Sequence, residues 1–298
     1  MLLKKHCNGF SKVARGNSIL LVLLIAFHCT QAQFIEPGKF VDGNFPAFSP
    51  EAIKANLIKE ITIRKMRKPS GEPIYDDGVR YIYHFDGEGR LTTFKHVFEG
   101  YRHRSDTIIR RYGYTEGHVQ FLETQHGKYV KRIAYHWTSD TFALITRKVR
   151  RGTGDWELLS SEQMSISNLS TSDGQLTTEW LGGIDAKPYQ RAQTQYNAKK
   201  LPIYHEIRVG ARLHIEEHWD YSEEFVSNYE RTDHQENQSL EVSYRYHNGT
   251  AEEGNWCKNG HCREWSLVLN DKGLPKGWLF MQEVSQNLEI WEFRYVYY

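Results

Sequence analysis

Along most of the chain, apolar and charged positions alternate one by one. Tyr81, Tyr83 and Phe85 alternate with Arg80, Ile82 and His84. Leu213, Ile215, Trp219 and Tyr221 share one parity, while Glu216, His218 and Asp220 take the other. Leu240, Val242, Tyr244 and Tyr246 follow the same rule, as do Trp278, Phe280 and Val284. At the end of the chain, Trp291, Phe293, Tyr295 and Tyr297 stand against Glu292 and Arg294. A period of two with one apolar and one polar face predicts half-buried antiparallel strands. Turn chemistry falls between the runs: Asp86-Gly87-Glu88-Gly89, Glu116-Gly117, Ser172-Asp173-Gly174, Asn248-Gly249, Asn259-Gly260 and Asp271-Lys272-Gly273. The reading is an all-β chain. It forms an antiparallel, meandering sheet of repeated hairpins, either curled as a single sheet or closed like a barrel.

One segment breaks the strand period. Ser49-Pro50-Glu51-Ala52 is an N-cap followed by proline at the first helical position. Ile53, Leu57 and Ile58 then fall on one face of a short helix near residues 50–59. Before it, Pro37, Gly38, Gly43 and Pro46 mark Gln33 to Phe48 as an irregular leader. The division predicted is therefore a signal over 1–32, leader and helix over 33–60, and one hairpin-repeat domain over 61–298.

A degenerate repeat runs through that domain. Its fullest copy is Tyr81-Ile82-Tyr83-His84-Phe85-Asp86-Gly87-Glu88-Gly89-Arg90-Leu91-Thr92. The pieces Tyr196-Asn197, Trp219-Asp220, Tyr244-Arg245-Tyr246 and Leu267 to Pro275 are partial copies. Tyr196, Tyr221, Tyr246 and Leu269 are spaced 25, 25 and 23 residues apart. That length suits a hairpin plus two turns, and such units bury a core jointly. Tyr83 to Thr92 resembles the tyrosine-aspartate (YD, or RHS-type) repeat: aromatic-x-aromatic-Asp-x-x-Gly-Arg-Leu-Thr. The overall style is similar to that of secreted Bacteroidetes proteins. The likeness covers about a third of the chain. It implies a strand-rich shell of the kind found in surface proteins, toxin cocoons and carbohydrate-associated proteins. It assigns no functional residue.

The N-terminus sets the expected compartment. Lys4, Lys5, Lys12 and Arg15 precede an unbroken apolar run from Ile19 to Phe27, and Thr30-Gln31-Ala32 offers a cleavage site before Gln33. This reads as a secretory signal, and it places the chain in the periplasm or outside the cell. The nine-residue run spans about 14 Å of helix, too little for a membrane anchor. A retained anchor is the competing reading. Lipidation at Cys29 is disfavoured by His28, where a lipobox needs a small residue.

Charge then excludes a function class. The whole chain carries 38 basic and 37 acidic residues. Removing the signal leaves 34 basic against 37 acidic, so no nucleic-acid-binding field is expected. Aromatic residues make up 13% of the chain, which argues for a packed core rather than disorder.

Cys257 and Cys262 flank Lys258-Asn259-Gly260-His261. An Asn-Gly type I′ turn makes Lys258 and His261 the closing pair and the cysteines the next, non-hydrogen-bonded pair, where Cα atoms come closest. In an oxidising compartment this predicts a cross-strand disulfide. A zinc site from Cys257, His261 and Cys262 is the alternative, and it lacks a nearby fourth ligand.

Catalytic signatures are sparse. No nucleophile elbow, zinc-protease helix or phosphate loop is present. Glu216, His218 and Asp220 share one strand face, with Glu217, Glu223 and Glu224 nearby; a metal row and a solvated sheet face look alike at this level. His205 beside Glu206, and His118 with His126, read as surface strand residues. No catalytic, cofactor or metal residue is assigned. The expectation is a secreted, non-catalytic binding or structural protein of the cell envelope or surface, with a protein or glycan as ligand and no membrane span in the mature chain. Two alternatives stand beside it: a secreted glycoside hydrolase-like enzyme, and an outer-membrane barrel, which would need clean apolar parity on its lipid face.

Overall fold

The computed structural model describes residues 34–41, 45–99, 105–184, 186–282 and 285–298. The signal segment, Cys29 and Val284 lie outside the described residues. The chain opens with β1 (Ile35–Val41), β2 (Phe45–Phe48) and the helix α1 (Pro50–Ala55). The wall then runs β3 (Ile58–Lys68), β4 (Tyr75–Phe85), β5 (Leu91–Glu99), β6 (Ser105–Thr115), β7 (His118–His126), β8 (Tyr129–Ser139) and β9 (Phe142–Arg151). It continues through β10 (Glu157–Thr171), β11 (Gly174–Gly183), β12 (Pro188–Asn197), β13 (Pro202–Val209), β14 (Arg212–Ser222) and β15 (Phe225–Asp233). The last strands are β16 (Gln238–Ser243), β17 (Arg245–His247), β18 (Thr250–Lys258), β19 (His261–Leu269), β20 (Pro275–Met281) and β21 (Leu288–Tyr297).

Strands β3 to β21 form one antiparallel meander that closes into a barrel, with β21 hydrogen-bonded to β3 from Leu288↔Lys68 to Tyr297↔Ile58. Strands β16 and β17 are two pieces of one stave, separated at Tyr244 and both paired to β18. Counted as one, they make an 18-strand barrel among the described residues.

The segment read as an irregular leader contains the β1–β2 hairpin, and together with α1 it forms a plug. Phe45 packs on Tyr81, Phe94 and His96 of β4 and β5; Phe48 packs on Tyr83 and Phe85; Phe34 packs on Tyr295 of β21. On the other side, β1 lies against β15. One small segment touches a wall running from β5 round to β15 only from the concave side. The plug therefore sits inside, and the residues facing it define the inner face.

Helix α1 is shorter than the sequence pattern predicts. The Ser49 hydroxyl accepts from the Ala52 N–H as N-cap. Asn56 ends the helix by donating both its backbone N–H and its Nδ2 to Ala52 O. Leu57 then takes φ 52° and is exposed, so it leaves the expected apolar face, and Ile58 begins β3 instead.

The predicted parities hold in the wall. Ile61, Ile63, Tyr81, Tyr83, Phe94, Trp291 and Phe293 point inward and are buried. Their outward neighbours make a lattice of ion pairs: Arg64 with Asp76 and Glu292, Arg80 with Asp76 and Glu99, Arg294 with Glu292, and His84 with Glu60.

Two features fasten the end of the barrel where α1 sits, here called the plug end. Three loops fold identically. The side-chain oxygens of Asp86, Asn197 and Asn270 each accept the backbone N–H groups two and four residues on. The fourth loop residue, Gly89, Lys200 or Gly273, is left-handed in every case. Gly89 also abuts the helix start: a Cβ there would sit 2.0 Å from Pro50 O. Tyrosines then latch strands together. Tyr114, Tyr221, Tyr246 and Tyr298 donate to the carbonyls of Leu91, Pro202, Val226 and Phe85, and Tyr295 donates to Pro275 O. Each latch satisfies a hydroxyl that would otherwise lose its water.

Candidate functional site

The inner face divides into two sectors. From β15 round through β21 and β3 to β5, it is packed against the plug. Tyr229, Val242, Phe280, Ile61, Ile63, Tyr83 and Phe94 are at most 1% exposed there. From β6 to β14 the same face is only half-buried at Ile108, Leu122, Ile133, Met164, Leu181, Ile207 and Ile215. Ala143, Ile145 and Glu162 are its buried exceptions. This sector faces an open interior, as a barrel of this strand number permits.

At the rim opposite the plug, Tyr75, Phe98, Tyr129 and Tyr189 are exposed. The first three lie on the inward register of β4, β5 and β8. The bulge between Leu181 and Gly182 brings Tyr189 to Glu162 on the inner face. Exposed rings on several strands thus stand at one mouth, whereas at the plug end α1 sits over the packed sector, against Gly89 and β3. The sequence marked aromatic stripes but carried no signal for which rings would be exposed.

A second space lies inside the packed sector. Between the plug and β17–β20 a cavity of about 450 Å³ is walled by Phe34, Trp265, Leu267, Leu269, Leu274 and Trp278. Glu36, His247, Glu252 and Lys272 stand around it.

Three inner-face carboxylates are compensated, Glu162, Glu289 and Glu217. Burial pushes Glu162 up, but hydrogen bonds from Arg147 and Ser160 outweigh it and hold the group below the ordinary carboxylate value. Glu289 is deeply placed, and burial raises it. Lys65, Arg263 and the Trp291 N–H more than reverse that shift. Glu217 accepts from Tyr229 at 2.6 Å and pairs with Arg231. A general acid at neutral pH needs a raised carboxyl, the opposite of what Glu162 and Glu289 show.

The candidate rows from the sequence separate in space. Glu216, His218 and Asp220 share the outward face of β14; Glu216 pairs with His218 and His234 and accepts from Tyr204. Glu217 points inward. His205 turns inward to Thr194, while Glu206 turns outward. There Arg208 and Arg191 hold the Glu206 carboxyl below its ordinary value. His118 and His126 sit at opposite ends of β7, paired to Asp140 and Asp106. Among the described residues no three His, Cys, Asp or Glu side chains converge as a metal set.

Cys257 and Cys262 face each other across β18 and β19, bonded, with Cα atoms 4.0 Å apart. Asn259 and Gly260 both take positive φ, and Lys258 and His261 close the turn. The disulfide lies on the outward face, away from both spaces.

No protein-family model matches the chain, and no curated protein matches it. Solved structures with some likeness exist. A porin-like protein from Bacteroides uniformis has 11% identity and a TM-score of 0.38, covering 81% of this chain and 97% of its own. A porin-like protein from Bacteroides vulgatus has 10% identity and a TM-score of 0.27, covering 80% and 98%. The LolA-superfamily protein NE2245 from Nitrosomonas europaea has 10% identity and a TM-score of 0.22, covering 83% and 92%. These values tie the chain to no family.

Proposed function

We propose that the chain is a secreted, non-catalytic binding barrel of the cell envelope or surface that takes a glycan or an extended protein segment at its open mouth. The observation that carries this reading is the mouth itself: Tyr75, Phe98, Tyr129 and Tyr189 stand exposed above a half-buried inner face. Exposed aromatic groups of this kind mark interaction sites, and their flat rings stack on sugars or side chains. The compensated carboxylates favour binding over hydrolysis. The repeated Asx loops and tyrosine latches support kinship with tyrosine-aspartate repeat shells.

The closed, even-stranded meander is also the architecture of an outer-membrane barrel, and the outer face speaks against that reading. A lipid-facing wall needs an apolar outward band. Here Arg64, Arg80, Lys95, Arg111, Lys148, Arg191 and Glu230 occupy outward positions around the circumference. No helix among the described residues is long and apolar enough to cross a membrane.

The test is a glycan array probed with the chain from Gln33 onward, beside a variant carrying Phe98→Ser, Tyr129→Ser and Tyr189→Ser. A saturable glycan signal that the triple variant loses supports the mouth as the site. A signal of equal strength in both proteins moves the site elsewhere.

A further inference from the structure

The outer wall is not evenly neutralised. On β3, β4, β12 and β13, outward cations meet carboxylates across neighbouring strands, as Arg64 meets Asp76 and Arg191 meets Glu206. Two flanks break that rule. On β6–β9 the outward positions carry Arg111, Arg132, Lys148 and Arg150, with Glu123 among them. Glu123 is taken by Arg111 at 3.0 Å. The guanidinium groups of Arg132 and Arg150 lie over the rings of Phe121 and Trp156. Among the described residues, Arg132, Lys148 and Arg150 have no ion pair. Arg132 and Lys148 are direct cross-strand partners.

On β14–β19 the sign reverses. Asp220, Glu230, Glu241 and Glu264 are outward and exposed. None of these carboxylates pairs with a cation among the described residues. Arg245, on the same flank, is held by Glu253. Glu230 and Glu241 are direct cross-strand partners. Like charges directly opposite weaken a ladder. Each flank therefore carries a repulsive pair that an opposite charge from outside would relieve.

The flanks are separated by β10–β13 one way round the barrel and by β20, β21 and β3–β5 the other. They face away from each other. Two chains related by a twofold axis cannot bring both flanks together. A head-to-tail contact can join the basic flank of one chain to the acidic flank of the next, and it leaves one flank of each sign free to continue.

We propose that the partner of the basic flank is the acidic flank of a second copy of this chain, so that barrels associate side by side into open rows. Complementary charge supplies the attraction and fixes which flank meets which. The mouth is at one end of the barrel and lies on neither flank, so the rows leave its rings free.

The test is sedimentation velocity of the purified protein over a range of concentrations, at about 0.05 M and about 0.5 M salt. At low salt the mean mass should rise with concentration to at least twice that of one chain, and at high salt it should return to one chain. The double variant Arg132→Gln, Lys148→Gln and the double variant Glu230→Gln, Glu241→Gln should each stay single at low salt. Each should also melt no lower than the parent, because a repulsive pair has been removed. An equal mixture of the two variants retains one intact flank of each sign and should form pairs that grow no further. A single-chain mass at low salt, association that salt does not weaken, loss in only one of the two variants, or a mixture that stays single would each overturn the proposal. Salt-sensitive retention of that single chain on heparin would assign the basic flank to an anionic polymer instead.

Discussion

The two sectors of the barrel are built from the same strand grammar yet differ in what lies behind their inner residues. In the packed sector, Tyr83 and Phe94 are fully buried because Phe45 and Phe48 of the plug rest on them. In the open sector, Ile133 and Ile207 occupy equivalent inward positions and keep part of their surface in water. Alternation alone thus makes a strand, and burial requires something to pack against. Stability should concentrate where the plug is, leaving the opposite wall free for contacts that change.

The comparison breaks most decisively if core truncations cost the same on both sides. Phe94→Ala should lose about 3–5 kcal/mol in urea denaturation, because the plug and wall cannot collapse around the void. Ile133→Ala should lose under about 1.5 kcal/mol, since little new cavity forms. Equal losses would mean that the open sector is packed after all.

Loop glycines sharpen the contrast. Gly89 and Gly117 are both left-handed, at φ +81° and +87°. A Cβ on Gly89 strikes Pro50 of the plug, whereas one on Gly117 meets nothing within 4 Å. Gly89→Ala should therefore cost about 3 kcal/mol or more and Gly117→Ala about 1, the strain of the backbone alone. Thermal melting of the pair measures the difference.

Reducing Cys257–Cys262 should cost about 2 kcal/mol on loop-entropy grounds, because the bridge closes a very short loop. The expected readout is a lower melting temperature with reductant and none of that sensitivity in a double Cys→Ser variant. Replacing the latch Tyr221 by Phe should cost about 1 kcal/mol, one hydrogen bond's worth. Burial pushes its phenol up to about 12, further still from ionisation than a free phenol.

The smallest effect concerns acid. Burial lowers the His96 pKa, with Arg110 and Lys65 adding to it, so the folded packed sector holds the ring neutral. A depressed histidine contributes stability that is present above its unfolded value, near 6.5, and lost as pH falls below it. Asp86 and Glu289, depressed by Arg90 and by Lys65 with Arg263 against their burial, lose theirs lower, below the ordinary carboxylate range. His96→Gln should reduce the loss of stability between pH 7 and 5, leaving the share of His84, which burial and Lys95 lower likewise, and the later acid loss in place.

Much of this was legible in the chain. Period two and the Asp-Gly, Asn-Gly and Glu-Gly turns marked the hairpins, because both signals are local. The Cys257–Cys262 register followed from Asn259-Gly260 alone. The plug was not legible: Phe34, Phe45 and Phe48 stand among prolines and glycines, and they are recognisable as core only once β4, β5 and β21 surround them. The helix ended early because Asn56 folds back on Ala52, a local contest that Ile53, Leu57 and Ile58 concealed. The open mouth was hidden as well. Tyr129 and Tyr135 lie on one parity of β8, and only barrel curvature and the plug's position decide which ring reaches water. The polar runs in β10 carried no apolar stripe, since neither face of that sector is fully covered.

The seam between β3 and β21 carries a consequence for how the protein is made. Its pairs, such as Ile61↔Tyr295, join residues more than 200 positions apart. Each hairpin of the wall can form as it is synthesised, but the first wall strand stays an unpaired edge until the last has been made. The plug is synthesised before the wall and cased last. A chain truncated before β21 would keep two free strand edges and a bared aromatic face together, the combination that invites pairing with other chains. Assembly thus turns on a single late event, and the ten residues of β21 act as the clasp.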